Sequence, residues 1–203
     1  MYDWPEVREA TDAWWRGIAG HLGESCALTR GPDHTALWRY PDLLFSQTCG
    51  YPFTHEFRGD LKLVATPHYG VDGCDGPRYR SMIFAREKKP LEAFHGGIAA
   101  VNSPDSMSGR LALQLVFAPL AKAGAFFAST MLSGGHVNSL RAVREGRADI
   151  CATDAVCVAL ARRYRPDYLD GLVEIARSPL VPSLPFVTVS GDVIKLRAAL
   201  AEV

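Results

Sequence analysis

Residues 133–154, "SGGHVNSLRAVREGRADICATD", join a glycine-containing loop, a helix and a strand in one short stretch. The pattern over 136–146 predicts a helix, and Gly146 is placed just after its C-terminus, where a left-handed backbone favours glycine. Residues 148–154 predict a strand, and residues 155–164 predict the next helix. A loop, helix, strand and helix in this order predict an α/β structure.

The alternation of strands and helices continues on both sides of this stretch. Upstream, residues 97–102 predict a strand, 109–124 a helix and 125–135 a strand that ends in a loop. The other predicted elements are helices at 5–22, 90–96 and 191–203, and strands at 43–50, 61–69, 78–87 and 172–190. Such alternation favours helices packed on mostly parallel sheets.

Three loops each follow a predicted strand and precede a predicted helix, at residues 102–109, 133–139 and 153–155. In open α/β sheets, ligands bind where the carboxyl ends of strands meet helix N-termini. The free N–H groups of a first helical turn favour an anion at that position. Helix capping alone explains one small polar residue per helix. Because the pattern recurs in three loops, we favour an anion-binding site.

Individual residues in and near these loops have structural alternatives. His136 at a helix start can donate to an anion or can lie exposed beside the cap. Asp154 can serve as an N-cap, accept hydrogen bonds from a protonated ligand group, or orient a donor such as His136. Tyr79 and Ser81 lie in "GPRYRS" (76–81) together with Arg80, whose side chain can simply face water.

A second polar segment, "SQTCGYPF" (46–53), leaves a predicted buried strand. It contains Gln47 and Tyr51, and a tyrosine can line a pocket with its ring while its hydroxyl donates a hydrogen bond. Both residues are therefore candidate ligand contacts.

Composition and charge exclude several classes of protein. The 203 residues carry 22 Lys+Arg and 22 Asp+Glu, so the basic excess usual in nucleic-acid-binding proteins is missing. No segment approaches the ~18 apolar residues of a transmembrane helix. The first residues, "MYDWPEVREATDAWW", lack the apolar core of a secretory signal. We therefore expect no nucleic-acid partner, and a cytoplasmic location stays open.

The sequence offers little support for catalysis or for a cofactor. It contains no GxSxG, P-loop or GxGxxG motif, and its carboxylates are scattered. Its five cysteines show no metal-binding spacing, which argues against a metal site. Cys49 and Cys74 each lie beside glycine in a loop and can pair in an oxidising compartment. Cys151 and Cys157 lie in apolar surroundings and are expected to pack in the core.

Several segments, in their order, resemble the phosphate-, phosphite- and phosphonate-type substrate-binding proteins of ABC transporters. They are "SQTCGYP", "GCDGPRYRS", "VNSPDSMSG", "SGGHVNSLRAVREGRADICATD" and "LPFVTVS", and the resemblance covers residues 43–190. It implies a type 2 periplasmic-binding fold of two α/β lobes, with a ligand cleft between them that closes by hinge motion. In this two-lobe arrangement, residues 1–83 and 180–203 form one lobe, and residues 84–179 form the other.

The resemblance also implies roles for residues in the anion loops. Ser106 and Ser108, with the N–H groups of Met107 and Ser108, would hold the oxygens of the anion. His136 would donate from the facing helix, and Asp154 would meet a protonated oxygen or an ammonium group. Met107 stands where a serine or threonine is usual, which weakens phosphate or phosphonate binding and favours a larger or less polar ligand.

The other lobe would contribute further contacts by the same resemblance. Tyr51 and Tyr79 would close the pocket, and Tyr2 would reach the cleft from a loop near the first strand. Gln47 and Ser81 complete the candidate ligand-binding set. The chain begins at "MYDWPEV", where a preceding strand is expected in this family.

The resulting functional hypothesis is a monomeric solute-binding protein rather than an enzyme. It would hold a small phosphate- or phosphonate-like anion, without a cofactor, for an ABC transporter permease. If exported, it would be periplasmic or membrane-associated. The alternatives are a cytosolic enzyme on the same fold, with His136 and Asp154 as acid and base, and a cytosolic ligand-sensing protein.

Overall fold

The computed structural model describes residues 2–31, 33–121 and 124–203. The helices are α1 (Arg8–Leu22), α2 (His34–Trp38), α3 (Gly50–Thr54), α4 (Ala112–Phe117), α5 (His136–Arg144), α6 (Ala155–Tyr164) and α7 (Val193–Ala201). The longer strands are β2 (Lys62–Ala65), β5 (Ser81–Ala85), β6 (Ile98–Val101), β7 (Ser129–Leu132), β8 (Ile150–Asp154), β9 (Val173–Arg177) and β11 (Phe186–Thr188). The two-residue strands are β1 (Ser46–Gln47), β3 (Cys74–Asp75), β4 (Arg78–Tyr79) and β10 (Val181–Pro182).

Short helical turns complete these elements. A π-helical turn at Met107–Leu111 leads directly into α4, and 3₁₀ turns lie at Pro5–Val7, Leu91–Phe94, Ala118–Leu120 and Pro166–Tyr168. The helix predicted over 109–124 is therefore present but ends earlier, and its residues 122 and 123 lie outside the described part of the chain. Within that described part, no helix has both the length and the apolar character needed to cross a membrane.

The chain forms two compact units, which divide it at positions other than the predicted lobe boundaries. The first unit is Met1–Pro67 with Leu184–Val203, and the second is His68–Ser183. The predicted boundary after residue 83 falls inside β5, which pairs with β8 on one side and β9 on the other. A strand bonded on both sides belongs to one sheet, so residues 68–83 lie in the second unit.

The main sheet of the second unit has the order β7-β6-β8-β5-β9. Strand β6 is parallel to β7 and to β8, whereas β5 is antiparallel to β8 and to β9. The prediction of a mostly parallel sheet is therefore wrong for half of these pairings, although the α/β layering is confirmed. The three strands that carry the predicted loops are the parallel ones.

Helices cover both faces of this sheet. On one face, Leu113 and Phe117 of α4 pack on Ile83 and Ile150. On the other face, side chains from α5 and α6 pack on strand residues that point the opposite way, which include Met82, Phe84, Ala100 and Cys151. All residues of β5 and β8 are buried, as expected for strands covered on both faces. Cys151 and Cys157 are also buried, which confirms the prediction that they pack in the interior.

The first unit is built on an antiparallel sheet with the order β1-β11-β2. Helix α1 packs against α7 in a cluster that contains Trp15, Ile18 and Ala199. Here too the predicted mostly parallel sheet is wrong, because β11 returns antiparallel to both of its neighbours.

Candidate functional site

The three predicted loops lie at one edge of the sheet in the second unit. Strands β7, β6 and β8 are adjacent and parallel, so their carboxyl ends share this edge. Each strand leads through its loop into a helix: β6 into the π-helical turn and α4, β7 into α5, and β8 into α6. The side chains from the three helix starts make direct contact, as described below. The prediction that these loops converge is confirmed.

The first loop is closed by a serine cap. The Oγ of Ser106 accepts a hydrogen bond from the N–H of Gly109 at 2.9 Å, and it lies 3.4 Å from the Oγ of Ser108. Both serines are buried. The N–H groups of Met107 and Ser108 lie in the first turn, where no carbonyl of the same helix can accept from them. The loop therefore brings two hydroxyls and two backbone N–H groups together.

Gly109 permits a very close approach of this loop to Asn102, the residue that follows β6. A Cβ atom at position 109 would lie 1.8 Å from Oδ1 of Asn102 and 3.3 Å from Oγ of Ser106. Any side chain at this position would collide with the amide of Asn102. Gly109 ends the segment "VNSPDSMSG" that carries the family resemblance, but its contact with Asn102 could not be inferred from the sequence.

The second loop leaves the N-terminus of α5 without a side-chain cap. Its N-cap is Gly135, and the first backbone acceptor used by the helix is the carbonyl of Gly135, which accepts from Ser139. The N–H groups of His136, Val137 and Asn138 thus have no intrahelical acceptor. At the far end of α5, Gly146 has φ 76°, which confirms the predicted left-handed residue after the helix.

Ser133 holds the second loop in place. Its hydroxyl lies 2.6 Å from that of Ser139 and donates to the carbonyl of Gly135 at 3.0 Å, while its N–H donates to the carbonyl of Val101. Ser133 and Ser139 were not among the predicted site residues. Both serines were visible in the quoted motif, but their pairing depends on how the loop folds over the helix.

The third loop supplies Asp154, whose two carboxylate oxygens have separate partners. Its Oδ1 accepts from the N–H of Cys157 at 2.8 Å and caps α6, while its Oδ2 lies 3.4 Å from Nε2 of His136. The capping role predicted for Asp154 is present, and the side chain also faces His136. The side chain is almost fully buried, with 3% exposed.

His136 connects the three loops. Its Nε2 lies 2.9 Å from Oγ of Ser108 as well as 3.4 Å from Asp154. Burial lowers the pKa of His136 below its ordinary value of 6.5, although the carboxylate of Asp154 and the backbone of Ala152 act in the opposite direction. The site is therefore built around a neutral imidazole at neutral pH.

The contacts of His136 do not form a hydrolase triad. In such a triad, the carboxylate holds one ring nitrogen and the nucleophilic hydroxyl meets the other. Here Ser108 and Asp154 both face Nε2. This arrangement does not activate Ser108 as a nucleophile, and it does provide hydrogen-bond donors to an anion.

The buried histidine predicts how the stability of the protein depends on pH. Because the pKa of His136 is lower in the folded state, the unfolded state binds the proton more readily below pH 6.5. Stability should therefore fall as the pH falls from 6.5 towards the lower folded-state pKa.

Urea unfolding at pH 7.5 and at pH 5.5 measures this effect. The wild-type protein should lose more free energy of unfolding between the two values than His136→Gln does. The control is His68→Gln, because His68 is exposed, and it should behave as the wild type. Equal losses in the wild type and in His136→Gln would contradict the assignment.

Two further candidates of the second unit lie near the same edge. Ser81 is buried and stands opposite Asp154 in the β5–β8 register, and its N–H donates to Oγ of Ser178 at 2.9 Å. Tyr79 was predicted to contribute from the other lobe. The structure places it in the second unit with the serine loop, because β4 runs directly into this unit and pairs with β3 and β10.

The remaining candidates belong to the first unit. The side-chain amide of Gln47 donates to the carbonyl of Leu184 at 3.0 Å, and the ring of Tyr51 stacks on that of His55 at 4.0 Å between centroids. Tyr2 is half-buried. A ligand-binding role for these three residues stays a prediction. Cys49 belongs to the first unit and Cys74 to the second, and their pairing likewise stays a prediction.

The described residues contain no group of three or more His, Cys, Asp or Glu side chains that could hold a metal ion. The groups that converge at this edge of the sheet are hydroxyls, backbone N–H groups and one imidazole. One carboxylate, that of Asp154, faces the imidazole. Such a set is suited to holding the oxygens of an anion through oriented donors.

A family model matches residues 41–203, and its description is an ABC transporter, phosphonate, periplasmic substrate-binding protein. This family comprises transporter solute-binding proteins rather than enzymes, as predicted. Among curated proteins, no sequence matches the chain significantly.

Solved structures show the same fold at low sequence identity. A binding protein component of an ABC phosphonate transporter from Pseudomonas aeruginosa is 17% identical, with a TM-score of 0.71, over 95% of this chain and 68% of that chain. The protein PhnD1 from Prochlorococcus marinus, in complex with methylphosphonate, is 14% identical, with a TM-score of 0.74, over 96% and 78%. An ancestral arginine-binding protein bound to arginine is 17% identical, with a TM-score of 0.64, over 94% and 79%. The type 2 periplasmic-binding fold is thus confirmed.

Proposed function

Because this chain belongs to the family of periplasmic substrate-binding proteins of ABC phosphonate transporters, we propose that it binds a small phosphonate and presents it to an ABC permease. The observation that carries the proposal is the contact between Ser108, His136 and Asp154, which joins three helix starts at one sheet edge. Two of these helix starts keep N–H groups that no carbonyl of their own helix satisfies.

The chemistry of a phosphonate group matches this set of donors. Its three oxygens are strong acceptors, and each can take hydrogen bonds from a serine hydroxyl or a backbone N–H group. Two helix N-termini add the positive end of their dipoles, which favours an anion without requiring a lysine or arginine beside it. The charge of the ligand is therefore balanced mainly by oriented dipoles.

Asp154 sets a limit on the ligand that the site accepts. A carboxylate behind His136 repels a second full negative charge more strongly than it repels one. A singly charged phosphonate, or one whose substituent carries an ammonium group, is consequently favoured over a doubly charged anion. Met107, which is half-buried at the loop, adds an apolar surface where an alkyl substituent can pack.

The cellular context follows from the family. The family is periplasmic and works with ABC transporters, and we extend this location and partnership to the present chain. We propose that the protein acts as a monomer. We also propose that it has no nucleic-acid partner, since its formal net charge is zero.

Ligand-induced stabilisation tests the proposed function. A ligand that binds only the folded protein raises its stability by RT ln(1 + [L]/Kd), or about 2.7 kcal/mol at a concentration of 100 Kd. Methylphosphonate should therefore raise the melting temperature in a saturable way, and sulfate should raise it less. The measurement is a thermal unfolding series at fixed ionic strength, with sodium chloride as the matched control. If methylphosphonate, an aminoalkylphosphonate, phosphite and phosphate all leave the melting temperature unchanged, the proposed function is wrong.

A further inference from the structure

We propose that Asp154 is a positioning residue, which keeps a proton on Nε2 of His136 and so turns the hydroxyl hydrogen of Ser108 towards the bound anion. The inference deepens the proposed function and rests on it. In this proposal Asp154 acts through His136 and Ser108. It does not itself contact an ammonium group or a protonated oxygen of the ligand.

The first step is the position of the proton on the imidazole. A neutral imidazole carries one N–H and one lone pair, and the partners of the ring decide which nitrogen has which. Oδ2 of Asp154 lies 3.4 Å from Nε2, in a site where the aspartate side chain is only 3% exposed. A lone pair on Nε2 would face this buried negative charge, whereas an N–H on Nε2 is attracted to it. Nδ1 is buried and has no partner at hydrogen-bond geometry in the described part of the chain, although the backbone of Ala152 also acts on the pKa of the ring. The carboxylate therefore selects the form of His136 that is protonated at Nε2.

The second step is the direction of the Ser108 hydroxyl. Its Oγ lies 2.9 Å from the same Nε2. When Nε2 carries the proton, Ser108 must act as the acceptor in this contact, and its own hydrogen has to point elsewhere. Were Nε2 unprotonated, Ser108 would instead donate its hydrogen to the ring and would have none left for a ligand.

The third step concerns the other polar neighbour of this hydroxyl. Oγ of Ser106 is 3.4 Å away, which is long for a hydrogen bond between hydroxyls, and it already accepts from the N–H of Gly109. Ser106 therefore competes weakly for the hydrogen of Ser108. An anion held at the N-terminus of the π-helical turn is the stronger acceptor.

Asp154 is itself held in the orientation that this action needs. Its Oδ1 is fixed by the N–H of Cys157 at 2.8 Å, so the second oxygen is directed at His136. One side chain thus caps α6 and orients the imidazole. A substitution that keeps the hydrogen bond of the cap but removes the negative charge can therefore separate these two roles.

Asp154→Asn is the appropriate variant, because asparagine caps a helix about as well as aspartate but carries no charge. Its Oδ1 can still accept from Cys157, and its amide N–H then faces Nε2 and favours a lone pair there. The matched control is Asp192→Asn at the N-cap of α7, where Asp192 accepts from the N–H groups of Ile194 and Lys195. The control removes the same charge from a helix N-cap in the other unit.

The experiment combines nitrogen NMR of the histidine rings with ligand titration. At pH 7.5, ligand-free wild-type protein should show a protonated Nε2 in His136, assigned by its loss in His136→Gln. Asp154→Asn should shift that nitrogen towards the unprotonated form and weaken methylphosphonate about ten-fold, and it should weaken 2-aminoethylphosphonate at least as much. Asp192→Asn should change neither property.

The outcomes of this experiment distinguish a failure of the inference about Asp154 from a failure of the proposed function. An unprotonated Nε2 of His136 in the wild type overturns the inference, and this reading does not depend on whether Asp154→Asn folds. Asp154→Asn that weakens only 2-aminoethylphosphonate also overturns it, because the carboxylate would then contact the ammonium group directly. A protonated Nε2 in a protein that binds no phosphonate would instead refute the proposed function and leave the assignment of the imidazole proton intact.

Discussion

Replacing Gly109 with alanine is expected to lower the affinity for methylphosphonate by about a hundred-fold. The added methyl group would lie 1.8 Å from Oδ1 of Asn102, so the serine loop or the amide must move. Overpacking of this kind costs up to about 3 kcal/mol, and a loss of that size in binding free energy corresponds to roughly a hundred-fold in Kd. Calorimetric titration of the variant with methylphosphonate measures the loss.

A second variant shows whether the collision with Asn102 is the cause. In the double variant Asn102→Ala/Gly109→Ala the amide is absent, so the affinity should return to that of Asn102→Ala alone. Gly20→Ala is the matched control, since a Cβ at position 20 meets no heavy atom within 4 Å. A double variant as weak as Gly109→Ala would show that the loop does not depend on this contact.

Replacing Ser108 with alanine is expected to weaken methylphosphonate by roughly ten- to a hundred-fold. A hydrogen bond to a charged group contributes about 1.5–3 kcal/mol, and alanine cannot make it. The hydroxyl of Ser108 contacts His136 at 2.9 Å and Ser106 at 3.4 Å, so its loss should affect the site more than the fold. Fluorescence or calorimetric titration gives the change in Kd, and thermal unfolding without ligand checks the fold.

Ser103→Ala is the control within the same loop. Ser103 contributes its backbone carbonyl, which accepts from the N–H of Ser106 at 3.4 Å, and alanine retains that carbonyl. Its affinity for methylphosphonate should stay within about two-fold of the wild type, since surface substitutions away from such contacts typically change free energies by less than about 0.5 kcal/mol. An unchanged Kd in Ser108→Ala would remove this serine from the site.

Local patterns predicted the parts of the fold that depend on neighbouring residues in sequence. The helix expected over 155–164 is α6, and Gly146 has the left-handed backbone predicted for it. Both depend on helical periodicity and terminal residues, which short-range interactions determine. The convergence of the three loops could also be predicted, because strands β7, β6 and β8 each precede a helix and are parallel.

Properties that depend on distant pairing were not predictable from the same patterns. The antiparallel direction of β5 is set by its partners β8 and β9, and a buried strand has the same hydrophobic run in either direction. The boundary between the two units differs from the predicted one for this reason. The assignment of Tyr79 to the other lobe was wrong as a consequence.

In the candidate site, too, the residues were predictable from the sequence, whereas their relative geometry was not. The family resemblance identified Ser106 and Ser108, and the residue types in the loops identified His136 and Asp154. The structure brings these four together. The sequence could not show that Ser108 and Asp154 face the same nitrogen of His136. That detail depends on the relative heights of three helix starts above the sheet, and it distinguishes an anion-binding site from a hydrolase triad.

Binding of a small phosphonate is measured by calorimetric titration of the purified wild-type protein with methylphosphonate. We expect saturable binding with one ligand per chain, which Ser108→Ala and Gly109→Ala both weaken while Ser103→Ala and Gly20→Ala do not. Saturable binding that all four variants leave unchanged would contradict the assignment of the site. The absence of any binding at millimolar ligand, in protein first unfolded and refolded to remove a retained ligand, would contradict the function itself.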